Sequence, residues 1–229
     1  MTSTEATAGP REELVLAGRS LTANGLSRGS AGNLSVREGD HLLMSPTGSD
    51  LGSLVAASLS VLDFEGNLLE GPRPSKEFPF HRAFYRRDRS TNAVVHVHSP
   101  AAMAVSCLEP WTEWSAIPPL TPYFVMRVGQ TPLVPYADPG DPSQADWIEA
   151  IPFPLHAVLL QNHGAITVGR DLAEAVDTAV ELEQVCDTLL RTAGLPKRLL
   201  SQETAVRLAG KYGRHWTLGQ PAAVPPAHS

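Results

Sequence analysis

Hydrophobic and polar positions follow two periods along this chain, and the switches between them predict the elements. Pro10-Arg11-Glu12-Glu13 opens a helix, with proline in the first turn and acids at the positive end of the helix dipole. Leu14, Ala17 and Leu21 carry its apolar spacing to a stop at Asn24-Gly25. Residues 27–33 are too small and glycine-rich for a regular element. Residues 34–37 and 41–44 predict a hairpin across Gly39-Asp40, and 59–64 with 68–70 predict a second around Gly66-Asn67. A helix is expected over 77–87, a β-branched strand over 93–97 and a helix over 100–107. Proline is frequent from 110 to 154, which reads as a long connection interrupted by one strand at 133–136. Strands at 157–160 and 165–168 flank Asn162-His163-Gly164. Asp171 and Glu174 form a capping box before a helix reaching about Thr192, whose apolar stripe is Leu172, Val176, Val180 and Leu189. A last helix fits 201–211. Short strands, hairpins and helices without regular βαβ alternation predict an α/β domain with a largely antiparallel sheet.

A length of 229 residues fits one domain, with residues 1–9 and 217–229 expected as flexible tails. Eighteen basic residues stand against 24 acidic ones, a net charge of −6. That balance argues against a nucleic-acid binder, which needs a basic face for phosphates, but leaves room for a small anionic substrate. No apolar stretch is long enough to span a membrane, and the polar first ten residues do not read as a signal peptide. Cys107 and Cys186 sit in apolar helical patterns and read as buried thiols in a reducing compartment, hence a cytoplasmic protein.

Candidate chemistry centres on histidine. His96 and His98 lie at a strand end, two residues apart, so both imidazoles face one side. Alone, such a pair is equally a hydrogen-bonded surface pair. His163 at a second strand end completes three imidazoles, a usual catalytic zinc set with a position left open. Glu77 begins a helix, where a carboxylate is a dipole partner, a fourth ligand or a proton shuttle. His81, four residues on, is either within reach of Glu77 or solvent-facing. His41, His156, His215 and His228 read as structural or exposed. Gly32-Asn33, Thr47-Gly48 and Ser75-Lys76 each offer backbone N–H groups and a small polar or charged side chain, a nest suited to phosphate.

Taken in order, Gly-Asn-Leu-Ser (32–35), Ser-Pro-Thr-Gly (45–48), Pro-Ser-Lys-Glu (74–77), His-Val-His-Ser (96–99) and Gln-Asn-His-Gly (161–164) resemble the class II aldolase/adducin family over about residues 12–212. The resemblance implies a three-layer α/β/α fold with a central, mainly antiparallel sheet. It implies one divalent metal per subunit, usually zinc, on His96, His98 and His163, with Glu77 as a further ligand and proton-transfer residue. It implies substrate and phosphate binding by Gly32, Asn33, Thr47, Gly48, Ser75 and Lys76. A homotetramer with sites between subunits is expected, and Tyr123 matches a tyrosine that reaches a neighbour's site; packing at the interface is its other reading. Lys76 stands where the aldolases have serine, and 117–142 looks like the 3-oxo-tetronate 4-phosphate decarboxylase branch. The implied activity is decarboxylation of that sugar-acid phosphate to dihydroxyacetone phosphate and CO2 through a metal-bound enediolate. A zinc aldolase acting on a ketose 1-phosphate such as fuculose 1-phosphate is the alternative, and a non-catalytic adducin-like scaffold a further one.

Overall fold

The computed structural model describes residues 9–138 and 141–217; apart from Gly9 and Thr217, the expected tails lie outside the described residues, as does His228. Eight strands form one sheet: β1 (Asn33–Glu38), β2 (His41–Met44), β3 (Ser60–Leu62), β4 (Leu68–Glu70), β5 (Ala93–Val97), β6 (Leu133–Val134), β7 (Ala157–Leu160) and β8 (Gly164–Gly169). Among the described residues the α-helices are α1 (Pro10–Ala23), α2 (Phe78–Arg87), α3 (Pro100–Ser106), α4 (Pro122–Arg127), α5 (Ser143–Ala150), α6 (Leu172–Arg191) and α7 (Gln202–Lys211). The strand order is β4-β3-β2-β1-β5-β8-β7-β6. Every neighbouring pair is antiparallel except β6–β7.

Alternation along β5 divides the core in two. Val94 joins Phe80, Phe84 and Ile148 of α2 and α5 on one face. Ala93, Val95 and Val97 join Leu14 and Leu21 of α1 and Ala175 and Ala179 of α6 on the other. A third cluster packs Leu159 and Ala165 of the sheet against Ala102, Phe124, Val185 and Ala205 of α3, α4, α6 and α7. The sheet is therefore the middle of three layers, and the chain has the expected α/β fold with a mainly antiparallel sheet.

The caps fall where the polar residues predict them. Asp171 Oδ1 accepts from Glu174 N at 2.8 Å, and Ser201 Oγ accepts from Thr204 N at 3.2 Å. Glu174 does not close the box reciprocally; its Oε2 accepts from Arg170 N. The 110–154 stretch departs from expectation. It contains α4 and α5, and its strand is only Leu133–Val134. Thr121 caps α4 through Phe124 N with Pro122 following it, a helix start hidden by the surrounding prolines. Cys107 also departs: it is exposed at the end of α3, where the apolar face has run out, while Cys186 is buried.

Arg87, at the end of α2, gathers the chain after α5. Its guanidinium donates to Ile148 O and Ile151 O, each at 2.7 Å, and to Phe153 O at 2.7 Å. These carbonyls have few other partners at a helix end, so a planar fork of donors suits them. Arg87→Ala should lower the unfolding free energy by about 1.5–3 kcal/mol, the range for hydrogen bonds to a charged group, read from urea denaturation. An unchanged midpoint would show that the clamp is dispensable.

Candidate active site

Sheet order brings three strand ends to one place. Asn33 of β1 is paired with His96 of β5, and Val97 of β5 is paired with Ala165 of β8. The β7–β8 turn, Gln161-Asn162-His163, therefore lies beside His98. Asn162 adopts φ +57°, a left-handed conformation that asparagine tolerates better than most residues. Two glycines permit the close approach. A Cβ at Gly164 would lie 2.6 Å from Val97 O, and one at Gly32, at φ +90°, would lie 2.6 Å from His96 O.

The three imidazoles meet edge to face, with ring centroids 4.7–4.9 Å apart. His96 is fully buried, and its Nδ1 lies 2.9 Å from Ala165 O. A carbonyl only accepts, so the proton is on Nδ1 and Nε2 presents a lone pair. That lone pair lies 3.0 Å from His98 Nε2 and 3.4 Å from Glu77 Oε2; His163 Nε2 lies 3.2 Å from Glu77 Oε1. Burial pushes His96 down to about 4 and also lowers His98, which favours neutral imidazoles at neutral pH. The four donor groups of Glu77, His96, His98 and His163 lie within 4.8 Å of one another. Neutral nitrogens and a carboxylate converging in this way fit a divalent cation by both charge and donor type.

Glu77 is the residue before α2 rather than its first turn, and its side chain does not cap the helix. The carboxylate turns to the histidines instead. Burial raises its carboxyl, but the hydrogen bonds from His163 and the Asn33 amide outweigh this and hold it well below the usual carboxylate range. Asn33 Nδ2 donates to Glu77 Oε2 at 2.5 Å, and Glu77 N donates to Ser75 Oγ at 3.2 Å.

One cleft of about 460 Å³ lies above this group. Gly32, Asn33, Thr47, Gly48, Ser75 and Lys76 all line it, together with Glu77, His98 and His163. Lys76 is exposed and pairs with no carboxylate among the described residues. Some of the expected donors are already used: Thr47 N donates to Arg73 O at 3.0 Å, and the Asn33 amide is held by Glu77 and His81. His81 does not face solvent. It is fully buried, with Nδ1 on Ser35 Oγ at 2.7 Å and Nε2 on Asn33 Oδ1 at 2.6 Å.

Tyr123 lies elsewhere. It is 59% exposed on α4, beneath the Arg127 guanidinium, and lines a separate cleft with Thr121 and Glu181. The tyrosine in the histidine cleft is Tyr136, whose hydroxyl donates to Asp138 at 2.9 Å. Asp141, Gln144 and Gln161 line the same wall, and Gln161 Oε1 accepts from Tyr136 N. Proline spacing around Tyr136 and Asp141 marks the segment in the sequence, but nothing in that spacing assigns either side chain to a site.

Comparison with known proteins agrees with this geometry. Residues 12–190 match the class II aldolase and adducin N-terminal domain. The 3-oxo-tetronate 4-phosphate decarboxylase of Haemophilus influenzae is 44% identical over 192 residues, 83% of this chain and 91% of that protein. The L-fuculose phosphate aldolase of the same organism is 34% identical over 84% of this chain and 88% of that protein. The solved structure of YgbL from Escherichia coli superposes with a TM-score of 0.83 at 40% identity, covering 87% of this chain and 97% of that one. Sequence, fold and site geometry agree that the chain belongs to the class II aldolase and adducin family.

Proposed function

We propose that this protein is a metal-dependent carbon–carbon lyase that decarboxylates 3-oxo-tetronate 4-phosphate to dihydroxyacetone phosphate and CO2. The observation that carries the chemistry is the group of three imidazoles and one carboxylate at a single cleft, where Glu77, His98 and His163 line the wall and His96 is buried behind them. Five relatives named for this decarboxylase, 37–44% identical over most of the chain, support the substrate. Aldolase relatives at 30–34% identity keep retro-aldol cleavage as the second reading.

His96, His98, His163 and Glu77 would hold the ion, with zinc the metal that suits the imidazoles. When bound, a divalent cation supplies Lewis-acid stabilisation of the negative charge that develops on substrate oxygen as the carbon–carbon bond breaks. Loss of the substrate carboxylate leaves the electron pair of its bond to C2, and C2 then needs a proton. Glu77, ionised at rest, takes up one proton from solvent at the cleft and passes it to C2; its carboxylate reaches the histidine cluster and is held in place by Asn33. Lys76 brings an unpaired ammonium into the cleft and neutralises the anionic substrate at its carboxylate. Ser75, with Thr47, Gly48 and Gly32, offers small polar groups and backbone for the phosphate. Tyr123 belongs to this scheme only in an assembly, where it would complete a neighbour's cleft in a homotetramer. Free thiols at Cys107 and Cys186 agree with a cytoplasmic setting, and no helix among the described residues is long and apolar enough to cross a membrane.

Product analysis with 3-oxo-tetronate 4-phosphate generated in situ tests the reaction. CO2 and dihydroxyacetone phosphate are the expected products; no CO2 from this substrate, with dihydroxyacetone phosphate and an aldehyde released from fuculose 1-phosphate instead, would select the aldolase reading. Lys76→Ser restores the aldolase-like residue and should depress decarboxylase kcat/KM while leaving bound zinc unchanged. Retention of full kcat/KM would remove Lys76 from the site.

His98→Ala should take zinc from about one ion per chain to near none while the circular dichroism spectrum persists. Glu77→Gln should lower kcat on the order of 10²–10⁴-fold, the usual share of general acid–base catalysis. Full activity in either variant contradicts the mechanism. Light scattering should report a tetramer, and Tyr123→Phe should lower kcat without changing its mass; a fully active monomer rejects the shared site.

A further inference from the structure

Behind Glu77 the polar groups continue inward, away from the cleft. Asn33 and Ser35 lie two residues apart on one face of β1, separated by about 6.6 Å of strand. Glu77, just before α2, and His81 and Tyr85 within it follow at four-residue intervals, and each four-residue helical step rises about 6 Å. The two spacings match, so the side chains mesh as rungs. Asn33 meets both Glu77 and His81, and Ser35 meets both His81, at 2.7 Å, and Tyr85, at 2.8 Å. His81, Ser35 and Tyr85 are buried.

Only one arrangement of protons satisfies the set. An ionised carboxylate only accepts, so the Asn33 amide nitrogen faces Glu77 and its oxygen faces His81. His81 Nε2 must then carry the proton and donate to Asn33 Oδ1. Nδ1 is left with a lone pair and accepts from the Ser35 hydroxyl, and Ser35 Oγ in turn accepts from Tyr85. Burial supports the assignment by pushing His81 down to about 3, so that it stays neutral, and by raising the Tyr85 phenol, so that it keeps its proton.

We propose that His81 is a positioning residue: by donating from Nε2 it fixes the orientation of the Asn33 amide, and the amide fixes the Glu77 carboxylate against the histidine cluster. The inference rests on the reading of Glu77 as proton carrier and candidate ligand. Without the His81 donor the Asn33 oxygen is left buried and unpaired, so the amide loses one of the two hydrogen bonds that pin it and can turn away from the Glu77 carboxylate or present its oxygen to it. Two acceptors at that distance repel, and the carboxylate loses its fixed direction.

The tautomer is measured first, in the zinc-free full-length chain, by long-range ¹H–¹⁵N correlation of labelled histidine. The proton of His81 should be on Nε2; a proton on Nδ1 overturns the proposal, and this reading needs no variant and no activity. His81→Phe keeps a ring of similar size and removes both hydrogen bonds. It should lower kcat and zinc affinity on the order of 10–100-fold, as loss of a group supporting a ligand does, with KM little changed. His81→Gln restores an N–H donor toward Asn33 and should recover most of the loss. A folded His81→Phe chain with wild-type kcat and zinc affinity refutes the proposal, as does a loss confined to KM. Full activity in Glu77→Gln would instead refute the role of Glu77 while leaving the His81 tautomer as found, so the two failures are separable.

Discussion

A strand that slips by one residue turns every side chain to the opposite face. Here that rule binds the chemistry to the sheet. Asn33, His96 and Ile166 are in register across β1, β5 and β8, so Asn33 and His96 share one face. A slip of β5 would carry His96 into the layer occupied by Val95 and Val97 and replace it with an aliphatic side chain. The register is held by burial on both sides: Val94 packs toward α2 and α5, and Val95 toward α1 and α6. A sheet covered on both faces cannot slip without burying polar groups against apolar ones.

The site is a costly place in this scaffold. His96 Nε2 and His98 Nε2 stand 3.0 Å apart with burial disfavouring protonation of both, and a carboxylate more than half withdrawn from water lies beside them. Hydrogen bonds offset part of the cost. Ala165 O fixes the His96 proton, and Asn33 supports Glu77. What remains is a set of lone pairs and negative charge pointing at one centre, the electrostatic condition that a cation relieves. The polar ladder through His81, Ser35 and Tyr85 extends the same logic inward, because a buried polar group is tolerated when every donor finds an acceptor.

A single scaffold can host both decarboxylation and aldol cleavage because the two share charge development on an oxygen next to the breaking bond. What differs is the departing group, carbon dioxide or an aldehyde, and therefore the walls around it. In this chain Lys76, Tyr136, Asp141 and Gln161 line the cleft beside the histidines. Proteins named for either activity are relatives of this chain within one family.

Short-range features of the sequence were enough for most elements and for the donors. A hairpin turn at Gly39-Asp40 foretold β1 and β2, short apolar runs foretold β5, β7 and β8, the Asp171 cap foretold α6, and His96-x-His98 with Asn162-His163-Gly164 marked the histidines, since turns, short apolar runs and caps are properties of neighbouring residues. Helices α4 and α5 were obscured because proline density masks helix starts that depend on a single Thr121 or Pro142. Ordered motifs also identified the family and the cleft residues 32–33, 47–48 and 75–77. The family resemblance already placed Glu77 with the histidines, whereas the residues alone left it open as a helix-dipole partner; facts that needed the tertiary structure are that Tyr136 and not Tyr123 lines this chain's cleft and that His81 is a buried donor to Asn33. Each depends on contacts between residues distant in the chain, 44 positions apart for Asn33 and Glu77 and 48 for Asn33 and His81, and no local pattern encodes them.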